Sequence, residues 1–329
     1  MMKATLRIIL CLGAILIPAL NVWAGEVALK KATFIPQWVP QAQFAGYYMA
    51  KELGIYKRYG IDLTILTGGP DRAAAEFLRD GMADFATLWL SKGIQMRSEG
   101  IKVLNIGQML QRSALMLVTK KKSGIRHPKQ MEGKKVGLWG ADFQIQPLAF
   151  FRKYNVNVKI IRQSYSVNLF LRDGVDVASA MLYNEYHTII DAGINEDELV
   201  PFFFHEHALN FPEDGIYTLE DTYVKDPDLC RAFVRASVEG WRYAFANPDK
   251  AVALVLQNLR QEHLPAQRVH QKWMLEKIRD LTMPQKDLTT IGKLHPADFE
   301  TVTRVLKSSG LIETPPSYGS FYRRCYLHD

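Results

Sequence analysis

The sequence of 329 residues predicts a bilobal α/β protein, with two α/β lobes and a helical C-terminal region packed on the first lobe. As far as Phe204, short apolar strands alternate with amphipathic helices, which is typical of βα units. The segments FLRDGMADFA at 77–86 and FLRDGVDVAS at 170–179 repeat a helix end, an Asp-Gly turn and a strand start. We therefore expect one copy of this unit in each lobe, with the glycine of each Asp-Gly pair in the left-handed cap conformation. After Asp221 the apolar residues recur almost throughout at helical spacing.

The first 24 residues have the pattern of a signal peptide. Lys3 and Arg7 precede an apolar stretch over 8–20, and the segment closes with a cleavage pattern at Ala24. This stretch is shorter than the ~20 residues that a membrane-spanning helix needs. We expect cleavage near Ala24, which would leave a soluble mature chain in the periplasm.

Charge and motif content exclude several functional classes. The formal net charge is +7, and removal of Lys3 and Arg7 lowers it to +5 (7 − 2). Because this excess is spread along the chain and no nucleic-acid-reading motif accompanies it, we expect no nucleic-acid partner. Nothing resembles a Ser-His-Asp set, a nucleophile elbow or a P-loop, so we predict no catalytic residues.

Cysteine and histidine content gives little evidence of redox or metal chemistry. Cys230 and Cys325 remain after the predicted cleavage, and a bridge between them is possible from sequence. The apolar helical surroundings of Cys230 favour a buried thiol instead. His205 and His207 alternate around Glu206, so both side chains would face one side of a strand, but no third ligand is evident. We interpret them as surface histidines and predict no metal site.

A strand, an aromatic loop, a helix and a second strand occupy residues 33–67, the size of one βαβ unit. Pro36 and Pro40 stop the first strand and delay the helix, which can begin only near Gln43. Ligands of open α/β sheets lie beyond the carboxyl ends of the strands, where this loop must be. The loop contributes three candidate ligand-binding residues: Trp38, Gln43 and Phe44.

The remaining elements divide between the two lobes. We assign residues 25–120 and 205–329 to the first lobe and residues 121–204 to the second. The first lobe contains predicted strands near Val27, Ile61, Phe85, Val103 and Leu115, and helices at 43–53, 72–79 and 90–99. The second contains strands at 135–138, 158–161, 177–181 and 200–204, and helices at 143–154, 167–172 and 184–192. The C-terminal helices are predicted at 228–247, 249–259, 265–281 and 296–309. Two crossings between the lobes would make a hinge around a cleft.

Three tryptophans follow predicted strands directly. Trp38 and Trp89 belong to the first lobe and Trp139 to the second. A tryptophan at a strand end can simply close the edge of a core, but three at equivalent topological positions favour a pocket. We expect their indole rings to meet at one cleft and to stack on a flat heterocycle, since stacking contributes about 1 kcal/mol beyond area burial.

The motif MLYNEY follows the repeated strand of the second lobe and supplies Tyr183, Asn184 and Glu185. Asn184 could cap the next helix and Glu185 could favour its dipole, which would be purely structural roles. Alternatively, either side chain reaches into the cleft and pairs with ring nitrogens and an amine of the ligand. Ser113 and Asp214 complete the candidate set. The pair Asp214 and Gly215 is equally consistent with an ordinary turn that has no contact with a ligand.

The stretch WVPQAQFAGYYMAKELGIYKRYGIDLTILTGGPD at 38–71 resembles the opening of periplasmic binding proteins for pyrimidine precursors of thiamine. A looser likeness continues through KKVGLWG at 134–140 and MLYNEY at 181–186. The resemblance implies a type II periplasmic-binding-protein-like fold. It also implies that the chain delivers a small aromatic heterocycle to an ABC permease, with no cofactor; we expect a monomer. The relatives' use of aromatic stacking and polar side chains near MLYNEY supports the ligand role of Glu185.

The same family includes fungal thiamine pyrimidine synthases, which use a histidine of their own chain, pyridoxal phosphate, iron and a cysteine-rich segment. The corresponding region here reads ATLWLSKGIQ at 86–95, with no histidine, and no cysteine cluster follows. Lys92 is present in it. The enzyme is therefore the second hypothesis, and an exported sensor of a ligand is the third. Which solute binds, and whether it carries phosphate, stays open at this point.

Overall fold

Two five-stranded sheets form the framework of the protein in a computed structural model that describes residues 28–326. The predicted signal peptide lies outside the described residues. The strands are β1 Lys30–Ile35, β2 Ile61–Ile65, β3 Phe85–Leu88, β4 Val103–Gly107, β5 Leu115–Lys120, β6 Lys135–Leu138, β7 Lys159–Arg162, β8 Val177–Met181, β9 Leu199–Phe203 and β10 Gly215–Leu219. The helices are α1 Ala45–Glu52, α2 Ile55–Arg58, α3 Ala74–Arg79, α4 Leu90–Ser98, α5 Ile145–Tyr154, α6 Asn168–Leu171, α7 Glu185–Asp191, α8 Glu220–Lys225, α9 Pro227–Ala246, α10 Pro248–Gln261, α11 Arg268–Thr282, α12 Pro296–Ser308 and α13 Tyr318–Phe321.

The two sheets share one topology, which confirms the predicted bilobal α/β fold. Their orders are β2-β1-β3-β10-β4 and β7-β6-β8-β5-β9. In each, the antiparallel strand is the one that arrives from the other lobe: β10 runs against β3 and β4, and β5 runs against β8 and β9. The chain therefore crosses between the lobes twice, over residues 108–114 and 204–214.

This topology corrects the predicted placement of two strands. The strand at Leu115 was assigned to the first lobe, but β5 pairs with β8 and β9 and lies in the second sheet. No strand was predicted at 215–219, where β10 fills the corresponding place in the first sheet. An apolar run identifies a strand, whereas its partners are fixed by the path of the chain between the lobes.

A half-buried aspartate in each copy explains the repeated segment. In the first copy, Asp84 Oδ2 accepts hydrogen bonds from Thr33 N at 2.7 Å and Thr33 Oγ1 at 2.8 Å. In the second copy, Asp176 Oδ2 accepts from Lys135 N at 2.9 Å. Each aspartate precedes a central strand and holds the backbone of the neighbouring strand, so both lobes use the same anchor.

The turns of the two copies differ from the expectation that both glycines are left-handed. Gly81 has φ +70°, as expected, but in the second copy Asp173 takes the positive φ of +56°. A Cβ on Gly174 would lie 2.6 Å from Leu169 Cδ1 and 3.1 Å from Leu169 O, so a larger residue there would require Leu169 to shift. The repeated Asp-Gly pair therefore serves two different backbone conformations.

The C-terminal helices cover the first lobe, as predicted. Helices α9 and α10 pack on α1, and α12 packs on α4. Each predicted C-terminal helix begins and ends within three residues of the observed one. Within residues 28–326, none of the helices combines the length and the apolar character that crossing a bilayer requires.

Cys230 and Cys325 are both buried and unbridged, and burial raises their pKa values to about 12 and about 11.

Residues 204–207 form a 3-10 turn, so the prediction of a strand that aligns His205 with His207 is wrong. His207 Nδ1 instead shares a hydrogen bond of 2.6 Å with the Tyr154 hydroxyl.

Candidate functional site

A cavity of about 440 Å³ lies between the two lobes. The residues that follow β1, β3, β6 and β8 line it, so the carboxyl ends of strands in both sheets meet there. Seven residues predicted from the sequence line this cavity: Trp38, Gln43, Trp89, Trp139, Tyr183, Asn184 and Glu185.

Aromatic rings meet across the cleft between the lobes. The ring centroids of Trp38 in the first lobe and Tyr165 in the second are 5.4 Å apart, with an angle of 67° between the ring planes. The ring centroids of Trp89 in the first lobe and Phe143 in the second are 4.7 Å apart, with an angle of 79° between the planes. The ion pair Lys92–Asp142, at 3.5 Å, also crosses the cleft. The lobes therefore touch around the cavity in this arrangement.

Trp139 forms a fixed part of the second lobe's wall. Its side chain is buried, and its indole Nε1 donates to Ser164 O at 2.9 Å. Its ring centroid is also 5.5 Å from that of Phe143. Phe143 therefore contacts both Trp139 of its own lobe and Trp89 of the other lobe. Because both the indole N–H and one ring edge are engaged, the ring is held in one orientation at the cavity surface.

Polar groups of the first lobe are oriented by Asp214, which is buried behind the lining residues. Its Oδ2 accepts from Gln43 Nε2 at 2.8 Å, and its Oδ1 accepts from Gln37 Nε2. Gln43 Oε1 in turn accepts from Gln41 Nε2. Since the amide nitrogens are used within this chain of hydrogen bonds, the amide oxygens of Gln37 and Gln41 are available to accept from a ligand.

Asn184 and Glu185 carry the polar wall of the second lobe. Asn184 precedes α7, but its side chain does not cap the helix, so the capping role considered from sequence is wrong. Its Nδ2 donates to Glu185 Oε1 at 2.8 Å, while Glu185 Oε2 accepts from Met181 N at 3.0 Å. Burial raises the pKa of Glu185 to about 7. These bonds fix a carboxyl group at the cavity surface.

Three candidates lie outside the lining. Phe44 is fully buried in the hydrophobic core, because it directly precedes α1 and faces the interior there. Asp214 acts through the glutamines described above. Ser113 lies in the first crossing between the lobes, where its Oγ contacts Glu213 Oε1 at 2.9 Å and Gln146 Oε1 at 3.0 Å. Sequence order places all three near strand ends, but side-chain direction separates them from the cavity.

Other lining residues were not among the predicted set. Phe143 and Tyr165 belong to loops of the second lobe that follow β6 and β7, and each contacts a tryptophan. Their signal in the sequence is an aromatic residue shortly after a predicted strand end, the same criterion that identified the tryptophans. Gln37 and Gln41 flank Trp38 in the same loop.

Glu213 joins the two crossings at the hinge. It is buried in the second crossing, and its Oε1 accepts from Ser113 Oγ at 2.9 Å, Ala114 N at 2.7 Å and Leu115 N at 3.2 Å. Burial, together with the Asp214 carboxyl beside it, raises the pKa of Glu213 to about 8. The raised pKa favours the protonated carboxyl at neutral pH, while the hydrogen bonds from Ser113, Ala114 and Leu115 oppose this shift and link the two crossings.

We expect the free energy of unfolding to fall as pH rises from about 5 to about 8. Burial raises the pKa values of Asp214 and Glu185 to about 7 as well as that of Glu213 to about 8, all above the usual value for unfolded carboxyls. Between these values the three carboxyls bind more protons in the folded chain than in the unfolded one, so their ionisation at higher pH costs stability. Thermal unfolding followed by circular dichroism from pH 5 to pH 9 measures this slope.

The variant Glu213→Gln tests the origin of that slope. Glutamine keeps an acceptor oxygen at Oε1 but cannot ionise. The free energy of unfolding of the variant should therefore depend less on pH than that of the wild type. The exposed Glu52→Gln is the matched control and should leave the slope unchanged. A wild-type stability that rises over this pH range would contradict the raised pKa values of the three buried carboxyls.

The family model described as NMT1/THI5 like matches residues 41–251 of this chain. The chain is 25% identical over 304 residues to the riboflavin-binding protein RibY of Chloroflexus aurantiacus, covering 88% of this chain and 84% of that protein. It is 24% identical over 317 residues to a 4-amino-5-hydroxymethyl-2-methylpyrimidine phosphate synthase of Legionella pneumophila, covering 91% of this chain and 93% of that protein.

Solved structures give the same fold. The periplasmic aliphatic sulphonate binding protein SsuA of Escherichia coli superposes with a TM-score of 0.68 at 14% identity, covering 91% of this chain and 94% of that one. At this identity the likeness concerns the fold alone, and it confirms the predicted periplasmic-binding-protein-like architecture.

Proposed function

Because the chain belongs to the NMT1/THI5-like family, we propose that it is an exported solute-binding protein that holds a small planar nitrogen heterocycle between its lobes. The observation that carries this proposal is the meeting of aromatic rings from both lobes at one cavity. The chain would pass its ligand to an ABC permease, the role implied by the periplasmic-binding-protein fold. Export would follow from the N-terminal segment, with the permease as the membrane partner.

The size and the aromatic walls of the cavity support a planar ligand. Its volume of about 440 Å³ suits a small organic molecule. Trp38 and Trp89 from one lobe and Trp139 from the other offer apolar ring surface without a formal charge. A flat ring held between such surfaces excludes water and gains stacking energy, whereas a flexible aliphatic solute would gain area burial alone.

The polar walls support a ligand rich in N–H donors. Gln37 and Gln41 line the cavity from one lobe and Glu185 lines it from the other, and the bonds that Gln37 and Gln41 donate use their amide nitrogens. A carboxylate can accept further hydrogen bonds beside the two that Glu185 already accepts. An aminopyrimidine, with an exocyclic amine next to a ring nitrogen, matches this arrangement. We therefore propose a pyrimidine related to a thiamine precursor.

Charge around the cavity supports an unphosphorylated ligand. Lys92 is the only lysine or arginine among the described lining residues, and its Nζ is already paired with Asp142 at 3.5 Å. Asp142 and Glu185 both line the cavity and would repel a phosphate group. Phosphate sites in proteins instead gather unpaired arginine, lysine or backbone N–H donors.

Closure of the lobes gives the mechanism. A ligand that contacts Trp38 in the first lobe and Glu185 in the second has its full set of interactions only when the lobes are together. Binding therefore shifts the population toward the closed form, since a ligand favours the state for which it has the higher affinity. The permease would then distinguish loaded from empty protein by the relative position of the lobes.

Isothermal titration calorimetry on the purified mature chain tests the ligand class. We expect 4-amino-5-hydroxymethyl-2-methylpyrimidine to bind at micromolar concentration or below, and its phosphate ester to bind at least about 10-fold more weakly. Riboflavin and an alkanesulfonate complete the panel. Preference for either of these would overturn the pyrimidine assignment but retain a binding protein, and no binding below about 1 mM by any of the four would overturn both.

Replacement of Glu185 by glutamine is expected to weaken binding of an aminopyrimidine about 10-fold at pH 8. The carboxyl is largely ionised there, because its pKa is about 7, and a charge-assisted hydrogen bond contributes about 1.5 kcal/mol more than a neutral one. Calorimetry measures the change. The exposed Glu206→Gln, which lies in the second crossing between the lobes and outside the cavity, is the control. Equal affinities for wild type and Glu185→Gln would show that this carboxyl does not contact the ligand.

A second candidate is the pyrimidine synthase activity named for the Legionella relative, and one observation favours it: Lys92 lines the cavity. The resemblance to the synthases implies pyridoxal phosphate, which needs a free amine for its aldehyde and cations for its phosphate. Lys92 is paired with Asp142 and is the one cation among the described lining residues, so these residues do not fit the cofactor. A new visible absorbance on adding pyridoxal phosphate, lost in Lys92→Arg, would reverse this order of preference.

A further inference from the structure

A cluster of two histidines and an aspartate lies where the second lobe meets the C-terminal helices. His187 and Asp191 are one turn apart on α7, and His270 lies in the first turn of α11. His187 Nδ1 is 3.0 Å from His270 Nδ1 and 3.2 Å from Asp191 Oδ2. One ligand atom from each residue falls within 4.8 Å of the other two. We propose that these three side chains bind a divalent transition-metal ion that links the two lobes.

The distances suit a metal of the zinc type. Ligand atoms about 2.0–2.1 Å from a tetrahedral zinc ion are roughly 3.3 Å from each other. The two separations of 3.0 and 3.2 Å around His187 Nδ1 are close to this value, so small side-chain movements would complete the geometry. Without a metal, one of the facing Nδ1 atoms must carry a proton for their contact to be favourable, and a metal between them removes that requirement.

A hydrogen bond behind His270 supports this role. His270 Nε2 is 2.8 Å from Asn184 Oδ1, an atom that can only accept. The Nε2 atom therefore carries the proton, and Nδ1 keeps a lone pair that points toward His187. Histidines that bind metals commonly donate their other ring N–H to an oxygen in this way, which fixes the tautomer and the ring orientation.

The ligand set indicates the class of metal. Two imidazole nitrogens and one carboxylate oxygen suit zinc and its neighbours cobalt, nickel and copper, while calcium and magnesium prefer oxygen ligands throughout. His187 is buried, His270 is half-buried and the Asp191 side chain is 45% exposed, so the cluster is reachable from solvent on the Asp191 side. Water would complete the coordination there.

The site would hold the lobes together. Helix α7 belongs to the second lobe, whereas α11 is attached to the first through Ala42 N, which donates to Gln271 Oε1 at 2.7 Å. Trp273 Nε1 also donates across the boundary to Leu182 O at 3.1 Å. Asn184 contacts both His270 and Glu185, so the metal site adjoins the cavity wall. A metal bound here would favour the arrangement in which the lobes touch.

Metal titration of the tag-free protein, after removal of metals with a chelator, tests the proposal without any organic ligand. We expect one zinc ion per chain by calorimetry, and visible d–d absorption of tetrahedral type when cobalt replaces zinc. His270→Gln removes a ligand and should weaken zinc binding by more than about 100-fold, since loss of an outer hydrogen-bond partner alone costs 10- to 100-fold.

Two further variants make the test specific. Asp191→Asn changes a half-exposed surface residue, so it should fold normally and still weaken zinc binding about 10-fold or more. His263→Gln is the matched control for His270→Gln, because His263 is an exposed histidine of the same helical region, and it should bind zinc as the wild type does. Absence of zinc binding by the wild type, or equal binding by wild type, His270→Gln and Asp191→Asn, would overturn the site.

Discussion

Replacement of Trp38 by alanine is expected to lower the affinity for the heterocycle about 10- to 100-fold while the fold is kept. Stacking of a base on an aromatic side chain contributes about 1–3 kcal/mol when measured by alanine substitution. Trp38 lies in a loop of the first lobe and meets Tyr165 of the second, so its loss also weakens a contact across the cleft. Calorimetry with the aminopyrimidine measures the affinity, and circular dichroism checks the fold.

The control for this experiment is Tyr59→Ala. Tyr59 is a large aromatic residue with 37% of its surface exposed, and it lies outside the cavity. Its removal should leave the affinity unchanged. An unchanged affinity in Trp38→Ala would show that the indole does not contact the ligand and would remove the main support for a stacked heterocycle. Trp139 is less suitable for this test, because it is buried and its truncation would also create a cavity.

Replacement of Gly240 by alanine is expected to destabilise the protein by about 3 kcal/mol. Gly240 lies where α9 crosses α1, and a Cβ on it would be 2.3 Å from Gly46 O and 2.5 Å from Ala50 Cβ. The nearer of these is a backbone atom, so the two helices must separate to admit the methyl group. Alanine favours a helix over glycine by up to about 1 kcal/mol, which is too little to offset this overpacking. Urea denaturation measures the difference.

Gly319→Ala is the matched control. Gly319 lies in the short helix α13, and nothing is within 4 Å of the position that its Cβ would take. The substitution should be neutral or slightly stabilising, since alanine has the higher helix propensity. If Gly240→Ala were as stable as the wild type, the close packing of α1 on α9 would be wrong. Because α1 follows the loop that carries Gln43, a shift of α1 would also weaken ligand binding.

The order of elements was predictable because it depends on local patterns. Apolar runs bounded by proline or glycine gave the strands, and helical periodicity gave the C-terminal helices within three residues of their bounds. The pairing of strands in the sheets does not depend on local patterns. The strands β5 and β10 exchange between the sheets, so Leu115 was placed in the wrong lobe and Gly215–Leu219 was not recognised as a strand.

Candidate site residues were found wherever one rule held: a side chain directly after a parallel strand faces the cleft. That rule brought Trp38, Trp89 and Trp139 to one cavity. It was insufficient for Phe44, Ser113 and Asp214, which lie in the core, at the hinge and behind the lining. Distance along the chain cannot tell which side of the backbone a loop residue takes, because that depends on packing against residues far away in sequence.

The βα units, the helical C-terminal region and the family to which the chain belongs can all be identified from the sequence, since each depends on short patterns of residues. Strand pairing, the burial of carboxyls beside one another and the contact between histidines depend on the folded chain instead. His187 and His270 are 83 positions apart, and Glu213 and Ser113 are 100 apart. Contacts over such distances result from the whole chain closing around two sheets, where burial and neighbouring charges then set the chemistry of each group.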